Sequence, residues 1–117
     1  MKTLINKTKN KTLGNVKCAN SFLKRFKGLM FKSKIENGIV LKIPKSKYKN
    51  RSSIHMFFMK QPLDIIFLDK NKKVFEMTSL KPWQTYTPKK PARFIIELKK
   101  DTIKENNINL NDKIEFK

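Results

Sequence analysis

The sequence predicts an α+β domain dominated by β structure, a small and partly closed β-barrel-like single domain with two short helices. Three observations point there. A series of short runs rich in Ile, Val, Phe and Leu is separated by Gly, Pro, Asn and Asp turn signals. Only two segments carry helical spacing, and both are short. A chain of 117 residues fits one domain with a modest core, and a small barrel buries many short strands most economically.

Taken in order, residues 1–12, with Lys2, Lys7, Lys9 and Lys11 among Thr and Asn, read as a flexible basic N-terminal segment or a short edge strand ahead of a β-rich domain over 13–117. Leu13 to Cys18 reads as a strand. Asn20-Ser21 offers an N-cap, because a side-chain oxygen there accepts from the first free N–H groups of a helix. Phe22, Leu23, Phe26, Leu29 and Met30 follow at helical spacing, and Gly28 is a C-terminal stop. Gly38 to Ile43 is a strand stopped by Pro44. Lys45 to Ser52 is a polar, basic loop.

The densest apolar stretch follows. It reads as two strands, 53–59 and 63–69, joined through Lys60-Gln61-Pro62, since proline has no N–H for a ladder and a fixed φ. Met56 and Phe58 would face one side of the first strand and Phe57 and Met59 the other, as in a core strand or one presenting an apolar patch to a partner. Asp64, set among Leu63, Ile65, Ile66 and Phe67, must point outward or find partners inside. Asp69 to Lys73 is a hairpin turn into an alternating strand, Val74 to Ser79. Leu80 to Pro91 carries three prolines and is a loop. Trp83 there reads as a plug at one end of the barrel; the other reading has Trp83 and Tyr86 stacking on a ligand ring beside Lys81, Lys89 and Lys90. Ala92 to Leu98 is a strand, Asp101 caps a short helix over 102–107, and Asn111-Asp112 turns into a last strand, 113–116.

Charge is the second strong feature: 28 Lys+Arg against 9 Asp+Glu, a net +19. It is uneven, since Glu36 is the sole acid in residues 1–60. Such a field attracts RNA, DNA or an anionic lipid surface. Lys, Asn and Ile share AT-rich codons, so composition alone raises lysine, but it does not explain the scarcity of acids in the first half. Contacts to a polyanion fall on Lys45, Lys47, Tyr48, Lys49 and Arg51 in the basic loop and on Lys24 and Lys27 of the first helix. No helix-turn-helix, zinc-finger or RNA-stacking signature accompanies them, so such binding would be weakly specific and salt-sensitive. No apolar run reaches bilayer length, and Met1 to Lys7 lacks the apolar stretch of a signal peptide, so the expected location is the cytoplasm.

Catalytic chemistry is thin. His55, the single histidine, could serve as a base oriented by Asp64, yet no nucleophile motif accompanies it; a histidine beside a turn is more often packed and hydrogen-bonded. Cys18 is alone, which rules out an intramolecular disulfide. One His, one Cys and scattered carboxylates show no metal-ligand spacing, and Gly14, Gly28 and Gly38 make no phosphate loop. No cofactor is implied.

Four pieces in order carry a resemblance: Ala19 to Met30 with its Arg25-x-x-Gly28-Leu29-Met30, His55-Met56-Phe57-Phe58-Met59 followed by Asp64 and Phe67-Leu68-Asp69, Leu80-Lys81-Pro82-Trp83, and Ala92 to Leu98. Over about residues 13–117 the chain resembles the family called domain of unknown function 192, also uncharacterised protein family 0127. The resemblance implies a compact, mostly β domain and no agreed activity, cofactor or partner. Asp101 and Asn111 stand where the family commonly has Gly. By position it singles out Arg25, Asp64, Arg93 and Glu97, to which the residue chemistry adds His55. These would form either a pocket whose guanidiniums fork onto an anionic ligand or an internal network pairing Asp64 or Glu97 with Arg25 or Arg93.

The preferred functional reading is a non-enzymatic module binding a small ligand or a protein partner. A nonspecific nucleic-acid-associated protein is the alternative, and an enzyme centred on His55 and Asp64 a further one.

Overall fold

The computed structural model describes residues 1–19 and 37–117. They form a β-dominated domain built on one curled, half-barrel sheet. Its strands are β1 (Lys2–Asn6), β2 (Lys11–Ala19), β3 (Gly38–Lys42), β5 (Leu63–Leu68), β6 (Val74–Leu80), β8 (Phe94–Lys99) and β9 (Ile114–Phe116), in the spatial order β6-β5-β8-β3-β2-β1-β9. A separate ribbon pairs β4 (Ile54–His55) with β7 (Thr85–Tyr86). Neighbours are antiparallel except β2 and β3, which run parallel. A parallel pair needs a crossover of a dozen or more residues, and residues 20–37 make that connection.

The sheet curls until its two ends meet. The Val74 N–H donates to the Asp112 carbonyl at 2.9 Å, Asn111 N–H to Val74 at 2.7 Å, and Ile114 N–H to Lys72 at 2.9 Å. These bonds tie the β5–β6 hairpin to the start of β9. The inner face packs Leu4, Val16, Val40, Ile66, Leu68, Ile96 and Ile114 into one core, which Ile108 helps close. The outer face of β3, β5 and β8 carries Ile39, Leu41, Ile65, Phe67 and Ile95, covered by Ile54, Met56 and Met59 from the ribbon and its loops. Central strands are therefore buried on both faces, which is why β5 is buried throughout and, Asp64 apart, reads as an apolar run. Each large side chain so buried contributes about 1.5–3 kcal/mol. Gly38 lets β3 and β8 approach: a Cβ there would stand 2.7 Å from the Glu97 carbonyl oxygen and 2.5 Å from Leu98 Cδ2.

Three sequence expectations change. Residues 1–12 are not a free basic tail: β1 is paired on both sides, by β2 and β9, and Leu4 is fully buried. The expected strand 53–59 shortens to Ile54–His55, because 56–59 is a turn closed by Met59 N–H on the Met56 carbonyl. The second helix forms as Thr102–Glu105, but Asp101 does not cap it through its side chain. Asp101 sits at φ 74° with no cap hydrogen bond, away from the extended backbone an N-cap uses. The first expected helix, over 20–30, lies outside the described residues.

Candidate functional site

The basic loop builds a groove. β3 ends where Pro44 removes a ladder donor, just after the Ile43 N–H donates to the Arg93 carbonyl at 2.8 Å. The chain then swings out and returns through a 3-10 turn, Lys49–Ser52. Ser52 pins the return: it is fully buried, and its hydroxyl accepts from Ala92 N–H at 2.8 Å. The Ser53 and Thr87 hydroxyls are hydrogen-bonded at 2.7 Å. The space between is a groove of about 670 Å³ floored by Leu41 and Ile43 and rimmed by Lys42, Lys45, Lys47 and Arg51. Tyr48, Ser46 and Asn50 add polar and aromatic contacts, and among the described residues no acid lines it. Of the expected polyanion contacts, Lys45, Lys47, Tyr48 and Arg51 line the groove, Lys49 does not, and Lys42 joins them. Lys24 and Lys27 lie outside the described residues.

Beside the groove two turns carry exposed aromatic rings. Residues 56–59 and 81–84 are each closed by the fourth N–H on the first carbonyl. Phe58 (φ 61°) and Trp83 (φ 72°) hold the third position of each. A single positive φ there defines a type II turn, which favours Gly or Asn at that place and Pro just before it; Pro82 obeys the rule, while Phe58 and Trp83 break it. The Met56 backbone welds the turns, accepting from Trp83 N–H at 2.8 Å and donating to the Gln84 carbonyl at 2.7 Å. His55 stacks on Phe57 at 4.7 Å, Phe57 meets Trp83 at 6.0 Å, and Phe58 meets Trp83 edge-on at 5.0 Å. Phe57, Phe58 and Trp83 are 40, 47 and 59% exposed. Trp83 is therefore not the buried plug expected of it.

The five polar candidates do not gather in one place. Asp64 shares the face of Ile66 and Leu68, whereas Glu97 and Arg93 share that of Ile95, on the other side of the sheet. Asp64 is buried, and its carboxylate accepts from the Ser79 hydroxyl at 2.7 Å and from Ile103 N–H at 2.9 Å. It thus supplies the cap that Asp101 does not. Glu97 is fully buried between Ile39 and Ile65 in register, a site where an ionised carboxylate costs several kcal/mol unless partnered (about 3–5 to break such a pair). Arg93 lies four residues before it, roughly 13 Å along an extended strand, and its buried Nε has no hydrogen-bond partner among the described residues. His55 belongs to the ribbon over the outer face, opposite Asp64. Arg25 lies outside the described residues. Among the described residues no three His, Cys, Asp or Glu side chains gather as metal ligands.

Two further networks went unforeseen. Asp112 accepts from Asn6 Nδ2 at 2.8 Å and Asn109 N–H at 2.9 Å, and lies 3.3 Å from Lys9 Nζ. Burial pushes its pKa up, but these hydrogen bonds and the Lys9 charge outweigh it and hold the carboxyl below its ordinary value. On the outer face, buried Glu76 accepts from the Tyr86 hydroxyl and from Lys89 N–H. That hydrogen bond, then burial and the Glu76 charge, raise the Tyr86 pKa. Asp112 thus fastens the start of β9 to β1, and Glu76 fastens the 80–91 loop that carries Trp83.

The curled half-barrel sheet and its covering ribbon define a small β-dominated domain. The chain belongs to the DUF192 family (Uncharacterized ACR), whose profile matches residues 3–116. It is 42% identical to a UPF0127 protein of Thermococcus sibiricus over 97% of this chain and 73% of that one. It is 38% identical to one of Pyrococcus furiosus over 97% of both chains. Among solved structures it resembles a "putative transcription regulator" from Sinorhizobium meliloti, with a TM-score of 0.81, 19% identity, and coverage of 98% of this chain and 91% of that one. A protein of unknown function from Novosphingobium aromaticivorans matches with a TM-score of 0.75 at 20% identity, over 97% and 82% of the respective chains. At those identities the likeness is one of fold. No helix among the described residues is long and apolar enough to cross a membrane.

Proposed function

We propose that this protein is a non-enzymatic binding module that takes a phosphate- or carboxylate-bearing ligand in the groove between β3 and the 3-10 turn. The observation that carries this reading is the lining itself: Lys45, Lys47 and Arg51 line a space of ligand size, with no acid among the described residues around it. Guanidinium forks onto planar anions, and lysines add point charge. An apolar floor of Leu41 and Ile43 suits a ligand that is not charge alone. What supports the non-enzymatic half is the separation of His55 from Asp64 across the sheet, together with the commitment of Asp64 to Ser79 and Ile103.

Calorimetric titration with pyrophosphate at about 50 mM salt, where phosphate contacts are strongest, tests the reading. Saturable binding, weakened at least 10-fold (about 1.4 kcal/mol) by the triple change of Lys45, Lys47 and Arg51 to Ser, is expected. Absence of binding, or equal binding by the triple variant, overturns it.

A further inference from the structure

We infer that the groove and the aromatic turns form one continuous site for single-stranded nucleic acid, with phosphates over the groove cations and bases stacked on Phe57, Phe58 and Trp83. This rests on the proposed groove and names the class of ligand that would fill it.

Continuity comes from the chain itself. Ile54 and Met56 point into the outer core, so the alternating Ser53 and His55 point away from it on the same side. Ser53 is a wall of the groove, and His55 stacks on Phe57, which meets Trp83, which meets Phe58. The cation-rimmed groove therefore leads directly to a run of rings. Exposed charge is segregated to match: segments 37–63 and 77–96, which carry the groove and both turns, contain Lys42, Lys45, Lys47, Lys49, Arg51, Lys60, Lys81, Lys89, Lys90 and Arg93 and no Asp or Glu, while Glu76 and Glu97, on the same side of the sheet, are buried.

The conformation of the rings is the second observation. A bulky residue at positive φ costs about 1–2 kcal/mol and persists only where the surroundings over-determine it. Here two such residues face each other on turns welded through the Met56 backbone. Asn or Gly would relax both turns and remove both rings. A positive groove that follows a phosphate chain, joined to sequence-tolerant aromatic stacking, is how single strands are held. A duplex hides the faces of its bases, and a flat lipid surface leaves the concave groove unfilled.

The test uses a labelled oligothymidylate of about 12 nucleotides, its duplex, and vesicles of phosphatidylglycerol, all at about 50 mM salt. The double variant Phe58→Asn, Trp83→Asn keeps both turns, because Asn accepts left-handed backbone. It is expected to weaken oligonucleotide binding about 10-fold or more while pyrophosphate binding stays unchanged. The Lys45, Lys47 and Arg51 triple Ser variant is expected to lose both ligands and to flatten the salt slope. The inference is overturned if the Asn variant binds the oligonucleotide as the parent does, if duplex binds as tightly as the single strand, or if only the vesicles bind. Should pyrophosphate also fail to bind the parent, the groove reading falls with it.

Discussion

Phe58 and Trp83 meet edge to face, ring centroids 5.0 Å apart, each from the left-handed corner of its own turn. Their turns are far apart in sequence and share one anchor, the Met56 carbonyl, which accepts from both Met59 and Trp83 N–H groups. An edge-on ring pair returns about 0.5–1.5 kcal/mol, comparable to the backbone cost of either corner.

That balance separates two substitutions at one site. Trp83→Ala keeps the positive φ on a residue with a Cβ and loses the ring contact, whereas Trp83→Asn loses the contact and relaxes the backbone. The Asn variant is expected to be more stable than the Ala variant by about 1 kcal/mol in urea denaturation, and the same order should hold at Phe58. An Ala variant as stable as the Asn variant would show that these corners carry no strain.

Asp101 and Asn111, where the family commonly has Gly, both adopt positive φ, 74° and 71°. Both positions thus hold a backbone conformation that suits glycine. Asp101→Gly is expected to gain about 0.5–1 kcal/mol, and Asn111→Gly less, since Asn tolerates this conformation better. Thermal melts of the two single variants give the comparison; a loss at both positions would contradict it.

Asp64 is expected to be a stability residue. Asp64→Ala strands the Ile103 N–H and the Ser79 hydroxyl and should cost about 2–3 kcal/mol, while Ser79→Ala should cost about 1 kcal/mol or less. Pyrophosphate affinity should be the same in both, because the groove lies on the other side of the sheet. A folded Asp64→Ala protein that lost the ligand would place Asp64 in the binding site instead.

Asp112 sets an acid limit. Its folded pKa lies below the ordinary carboxyl value of 3.8, so between the two the unfolded chain binds more protons. Its contribution is complete above the ordinary value and lost as pH falls through the folded one. Melting temperature followed downward from about pH 5 should drop in that window. Asp112→Asn, though less stable at neutral pH, should show a shallower drop. Parallel curves would assign the acid sensitivity to other carboxylates.

Much of the fold was legible in the chain because periodicity is local. β5 and β8 announce themselves by apolar runs, and β6 by its alternation after the Asp69 to Lys73 turn. The site was half legible. Lys45, Lys47 and Arg51 are visible as a basic loop, but Lys42 reads as the end of a strand, and its place on the groove depends on how Ser52 pins the returning chain. Met56 to Met59 mimics a core strand because two methionines are indeed buried; what the pattern misses is a turn that brings both to the same side. Pro82 before Trp83 was the available signal for the second turn.

The sequence by itself determined a β-dominated domain, its membership of a family, and a large positive charge, since these follow from residue type and short-range order. Tertiary structure alone decided which side of the sheet each polar residue faces. A strand alternates sides at every residue, so Asp64 and Glu97 reach opposite faces through the register of β5 against β8. No spacing within either strand reveals that register.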